Sequence, residues 1–112
     1  MSPITSHVLD TALGKPAAGL PLRLQLQTQD GWQTLAERST NQDGRVGDLL
    51  AEGALVRGTY RMIFDTGAYL KASGQAVFYP QVEIVFTIEA EAEHYHIPLL
   101  LSPYGYATYR GT

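Results

Sequence analysis

At 112 residues, with 45% apolar and 17% charged side chains, the chain has material for one compact core and a single domain spanning 1–112. A formal net charge of −3 with no cluster of Lys and Arg argues against a nucleic-acid partner. The count of zero cysteines excludes disulfides and thiol chemistry, and no stretch approaches the roughly 18 consecutive apolar residues of a membrane span. Met1 to His7 lacks the basic-then-apolar pattern of a secretory leader, so a cytoplasmic protein is expected, or a periplasmic one if a leader preceded this numbering.

Taken in chain order, Ile4 to Leu9 reads as a first strand, and Leu20, Leu22, Leu24 and Leu26 alternate with Pro21, Arg23, Gln25 and Gln27 as a second. Trp32 to Ser39 follows, then Tyr60, Met62 and Phe64 at the same period of two. Asp65 or Thr66 can cap a short helix through Ala68 to Lys71, with Gly74 ending it, so one helix is expected near residues 66–73. Val82, Ile84, Phe86 and Ile88 alternate with Gln81, Glu83, Val85 and Thr87, and His94 to Leu101 and Tyr104 to Arg110 supply the last strands. Turn chemistry separates these runs at Gly14-Lys15-Pro16, Asp30-Gly31, Asn41-Gln42-Asp43-Gly44, Arg57-Gly58 and Ser102-Pro103. The pattern predicts an all-β domain, a two-sheet β-sandwich of Greek-key type with about seven to eight strands.

The side chains suited to proton transfer near neutral pH are three histidines: His7, His94 and His96. Residues two apart on a strand share a face, so His94 and His96 point one way while Tyr95, Ile97, Leu99 and Leu101 point the other, toward the core. A face of two imidazoles and Pro98 reads as a site or a subunit contact, or as a plain polar strand face. A His-x-His pair with a distant third His is also one way to build a zinc site, with Asp10 and Glu93 as candidate supporting carboxylates. His7 falls in what reads as an edge strand, and Arg45 follows a turn from which its side chain can reach outward. The C-terminal Tyr-rich segment keeps its pattern to the last residue, which implies that it packs against something.

Taken together, His7-Val8-Leu9-Asp10, Asp43-Gly44-Arg45, Asp65-Thr66-Gly67-Ala68-Tyr69, the block from His94-Tyr95-His96-Ile97-Pro98 to Ser102-Pro103-Tyr104-Gly105-Tyr106, and Tyr109-Arg110-Gly111-Thr112 resemble the successive signatures of the 5-hydroxyisourate hydrolases. The resemblance spans nearly the whole chain and implies a transthyretin-like sandwich, assembled as a homotetramer with active sites in a channel between subunits. It implies hydrolysis of 5-hydroxyisourate to 2-oxo-4-hydroxy-4-carboxy-5-ureidoimidazoline in urate breakdown. By the same resemblance His7, Arg45 and His96 form the catalytic centre, and His94, Tyr109, Arg110, Gly111 and Thr112 complete the substrate pocket. The chain departs from the family at its last residue, where Thr112 replaces the usual Ser while keeping a hydroxyl.

The implied reaction opens a cyclic amide by attack of water on a ring carbonyl. It needs a base, which His7 or His96 can supply, and a cation such as Arg45 to offset charge on the carbonyl oxygen. No cofactor, metal or nucleophilic side chain is expected. The alternatives are a transthyretin-like carrier of small aromatic ligands, for which an apolar channel would suffice, and the three-histidine zinc hydrolase.

Overall fold

The computed structural model describes residues 2–112. In chain order the elements are β1 (Ile4–Asp10), β2 (Lys15–Pro16), β3 (Pro21–Thr28), β4 (Gly31–Ser39) and β5 (Arg45–Val46). There follow β6 (Gly58–Phe64), α1 (Thr66–Ala72), β7 (Val82–Ile88), β8 (Tyr95–Ser102) and β9 (Gly105–Thr108). All seven expected strands are present, and the described residues carry two more, β2 and β5, each of 2 residues. Strands that short show no periodicity, which is why their residues read as turns.

One sheet has the order β2-β1-β8-β9, with β5 also paired to β1; the other has the order β4-β3-β6-β7. Six of the strand pairs are antiparallel, but β1 and β8, from opposite ends of the chain, run parallel. This pairing corrects the reading of β1 as an edge strand. It is flanked by β8 on one side and by β2 and β5 on the other, so His7 sits in the middle of a sheet.

The core forms where the inward faces meet. Ile4 and Val8 of β1 and Ile97, Leu99 and Leu101 of β8 pack with Leu22, Leu24, Tyr60, Met62, Phe64, Val82 and Ile88 of the other sheet. Removing each such side chain from water stabilises the fold by about 1.5–3 kcal/mol before ordering costs. Burial along β1 alternates without a break, so Ile4, Ser6, Val8 and Asp10 face inward and Thr5, His7 and Leu9 face out.

The two polar residues on that inward face are satisfied. Ser6 Oγ donates to the Ile97 carbonyl at 2.7 Å. The Asp10 carboxylate, 1% exposed, accepts from Tyr69 Oη at 2.6 Å, Gln75 Nε2 at 2.8 Å and the Leu13 amide at 2.9 Å. Burial alone would raise the Asp10 pKa, but these donors together outweigh it and hold the carboxyl below its ordinary value. Tyr69 lies on α1, so this network ties the helix to β1. The helix itself starts as expected, with Asp65 Oδ1 accepting from the Ala68 amide at 3.1 Å.

The last strand is shorter than the sequence predicts and stops at Thr108 rather than Arg110. In the register that pairs Leu99 with Thr108, Tyr109 falls opposite Pro98, which has no N–H to give to the ladder. The same register resumes at one further bridge, where the Gly111 amide donates to the His96 carbonyl at 2.9 Å. The tail is thereby returned to β8 beside the histidine.

Candidate active site

Two strand registers assemble the site on the outer face of the five-stranded sheet. The parallel pairing sets Thr5 of β1 against His96 of β8, and the antiparallel pairing sets His7 against Arg45 of β5. Thr5 and His7 share the outward face of β1 by the period of two, so both imidazoles lie on one surface with Arg45 beside them.

Arg45 is carried there by a turn that its sequence makes tight. Asn41 Oδ1 accepts from the amides of Asp43 at 2.9 Å and Arg45 at 3.0 Å, an Asx turn that aims the chain back toward β1. Gly44 adopts a φ of +73° and comes so close to β1 that an added Cβ would lie 2.5 Å from the Val8 carbonyl oxygen. Only glycine meets both demands. The Gly44 carbonyl in turn accepts from the Val8 amide at 2.8 Å, fastening the turn next to His7.

His94 and His96 share a face, as the period of two requires. Their rings are nearly parallel, with centroids 6.4 Å apart and 19° between planes. Thr5 Oγ1 lies between them, 2.8 Å from His96 Nδ1 and 3.0 Å from His94 Nε2. The opposite edge of the His96 ring is held by Gly111, where a Cβ would come within 2.6 Å of His96 Cδ2. The ring is gripped on two sides, which leaves its Nε2 and Cε1 edge free.

A cavity of about 230 Å³ opens at this point, lined by Thr5, Arg45, Val46, His94, His96 and Thr112 among others. Both His7 and His96 have pKa values lowered from the ordinary imidazole value of 6.5. Burial is the main cause in each case and the Arg45 guanidinium the next; His94 and His7 add to the effect on His96, while the Asp43 carbonyl opposes it at His7. At neutral pH both rings are therefore uncharged and able to accept a proton, beside a cation that never loses its charge. Such a set can activate water and stabilise an oxyanion.

The predicted residues divide into two groups within one subunit. Arg45, His94, His96 and Thr112 line the cavity, His7 stands next to Arg45 on β1, and Gly111 packs on His96. Tyr109 and Arg110 lie elsewhere, in a separate groove of about 280 Å³ with Phe86, Tyr95 and Ile97. There Arg110 bonds Glu93 Oε1 at 2.8 Å and covers the Tyr95 ring at 4.3 Å. Glu93 is thus engaged away from the histidines and Asp10 faces the core, so neither supports an imidazole. Among the described residues no three His, Cys, Asp or Glu side chains gather as a metal-holding group. The Thr5 hydroxyl occupies the place between His94 and His96 where a shared ion would sit.

Sequence reasoning missed Thr5. The signal was available, because Thr5 and His7 are two apart on β1 just as His94 and His96 are on β8. What was lacking was the parallel register that brings the two pairs together.

The chain is similar over nearly its whole length to known proteins. Residues 4–111 match the family described as HIUase/Transthyretin. The 5-hydroxyisourate hydrolase of Mus musculus is 52% identical, covering 99% of this chain and 96% of that protein. That of Salmonella dublin is 44% identical, over 97% of this chain and 80% of its own. Among solved structures, sea bream transthyretin in complex with thyroxine superposes with a TM-score of 0.93 at 34% identity, covering 99% of this chain and 96% of that one.

Proposed function

The chain belongs to the HIUase/Transthyretin family, and from that premise we propose that it hydrolyses 5-hydroxyisourate in urate breakdown, using His7, His96 and Arg45. The observation that carries the reading is the convergence of two neutral imidazoles and one guanidinium on a single outward face. A neutral imidazole takes a proton from water as the water attacks a ring carbonyl, and the second imidazole binds the substrate or returns a proton to the departing ring nitrogen. Arg45 orients the oxidised purine through its planar donors and offsets negative charge on the carbonyl oxygen in the tetrahedral intermediate. Among the described residues no helix is long and apolar enough to cross a membrane.

The same reading places the sites between subunits of a homotetramer. A cavity of about 230 Å³ falls short of the roughly 300–1,000 Å³ of a typical small-molecule pocket, so a second subunit facing it supplies the remaining wall. The surface also carries apolar groups suited to burial: Phe78 is 61% exposed and Tyr104 70%, in ring contact with each other, and Val85 of the edge strand β7 is 58% exposed. Tyr109 and Arg110, which a single subunit holds apart from the histidines, complete the pocket from its margin in that assembly.

Carriage of an aromatic ligand, as in the thyroxine-bound sea bream protein, is the competing reading. The hydrolase relatives are the more similar in sequence, and carriage has no use for two depressed imidazoles beside a cation. The test is the ultraviolet decay of freshly generated 5-hydroxyisourate. Catalytic amounts of the protein should accelerate it well beyond the spontaneous rate. Decay at the spontaneous rate, with tight binding of a thyroid-hormone-like aromatic, would reverse the assignment.

A further inference from the structure

Thr5 touches both histidines of β8, and the chemistry of a hydroxyl limits what that contact can be. A threonine side chain has one proton to donate and two lone pairs with which to accept. It lies 2.8 Å from His96 Nδ1 and 3.0 Å from His94 Nε2, so it can donate to only one of the two rings and can accept from either or both. Toward His96 it either donates or accepts, and the two cases leave that ring with opposite tautomers. If Thr5 donates to His96, Nδ1 is bare and the proton sits on Nε2. If Thr5 accepts from His96, Nδ1 carries the proton and the Nε2 lone pair is presented to the cavity.

We propose that Thr5 is a positioning residue for the hydrolysis, receiving the Nδ1 proton of His96 and donating its own to Nε2 of His94, so that His96 is fixed as a proton acceptor at Nε2. The inference rests on the site assignment above and goes beyond it by naming the group that selects the tautomer. Two observations support this direction. The free edge of the His96 ring is the one bearing Nε2, because Gly111 occupies the Cδ2 side and Thr5 the Nδ1 side. His94 is exposed, so its Nδ1 is served by water whichever proton it holds and places no opposing demand on the hydroxyl.

The groups facing His96 leave the choice to Thr5. Burial first, then Arg45 and the rings of His94 and His7, disfavour the imidazolium and outweigh the Thr5 carbonyl, which keeps His96 neutral and makes its single proton's position decisive. In free histidine that proton prefers Nε2, the position that would block proton acceptance from water on the open edge. The hydroxyl reverses the preference. Thr5 is also stiff about χ1, being β-branched in a strand, so the oxygen is held in place between the rings.

The test is nitrogen-15 NMR of the histidine rings in the whole protein, where only three histidines have to be assigned. Wild-type His96 should show a protonated Nδ1 and a bare Nε2. Thr5→Val, which keeps the shape and the branching but removes the hydroxyl, should move the proton to Nε2 and lower kcat by roughly 10- to 100-fold, with KM within about threefold. Thr5→Ser, which restores the hydroxyl, should recover the wild-type tautomer and most of the rate. A wild-type spectrum with the proton on Nε2 overturns the proposal, as does a Thr5→Val enzyme with unchanged kcat. The spectrum needs no substrate, so a protein inactive on 5-hydroxyisourate would end the functional assignment while the tautomer was still decided by the resonances.

Discussion

Replacing Gly111 with alanine puts a methyl group where the edge of His96 now sits. A Cβ at this position lies 2.6 Å from His96 Cδ2, 3.2 Å from Cγ and 3.3 Å from Pro98 Cγ, whereas ordinary contact begins at 3.4 Å. Ring or tail must therefore yield by about 0.8 Å. The backbone offers no objection, since Gly111 is not among the glycines of positive φ, so the effect is steric and local. The ring cannot retreat freely: its Nδ1 is bonded to Thr5, and its carbonyl accepts the Gly111 amide. Misplacing a catalytic group by about 1 Å costs on the order of 100-fold in rate, equivalent to about 2.7 kcal/mol in the barrier. Gly111→Ala should thus lose about two orders of magnitude in kcat while its melting temperature stays within a few degrees of wild type, because the residue lies outside the core. Steady-state decay of fresh substrate and a thermal melt measure the two quantities. Wild-type turnover in Gly111→Ala would refute the claim that the tail holds His96 in its working position.

Other consequences follow from the same geometry. Because burial and Arg45 lower the pKa of His7 and His96, their neutral forms persist below the ordinary value of 6.5, so kcat/KM should stay level down through that pH and fall only on its acid side. Removing the cation in Arg45→Ala should raise the NMR titration midpoints of both rings, and a downward or absent change would contradict the electrostatic account. Gly44→Ala combines a strained φ with a 2.5 Å approach to the Val8 carbonyl, so it should lower the unfolding free energy in urea by at least about 2 kcal/mol and reduce kcat by displacing Arg45. Asp10→Ala strips buried Tyr69 of its acceptor and half-buried Gln75 of one of its two, and should cost about 3 kcal/mol in the same measurement. The wild-type Asp10 contribution has a definite sign with pH. The folded carboxyl binds its proton less readily than the unfolded one, so the stabilisation is complete above about pH 4 and is lost as the pH falls through the folded-state value.

The sandwich could be read from the sequence because its strands alternate cleanly. Leu22, Leu24, Tyr60, Met62 and Phe64 each announce an inward face, and Asp65 with Gly74 brackets the helix. The shared face of His94 and His96 was legible for the same reason. The partnership of β1 with β8 was not, since nothing local specifies a parallel neighbour about ninety residues away, and with it went both the central position of His7 and the role of Thr5. The early end of β9 turns on a missing amide in Pro98, which matters only once that strand's partner is known. Tyr109 and Arg110 show the converse limit. A motif places them next to Gly111 and Thr112 in sequence, yet both lie past the end of β9, where Arg110 is drawn to Glu93 and Tyr95 and the two side chains line a different groove.

The central claim is that His7, His96 and Arg45 act as one unit, and kcat/KM for 5-hydroxyisourate in the three single alanine variants and their triple combination measures it most directly. Each single variant should lose roughly 100-fold or more with folding and assembly preserved, and the triple variant should lose far less than the product of the three. Wild-type kcat/KM in two of the single variants, or losses that multiply as if the groups were independent, would contradict it.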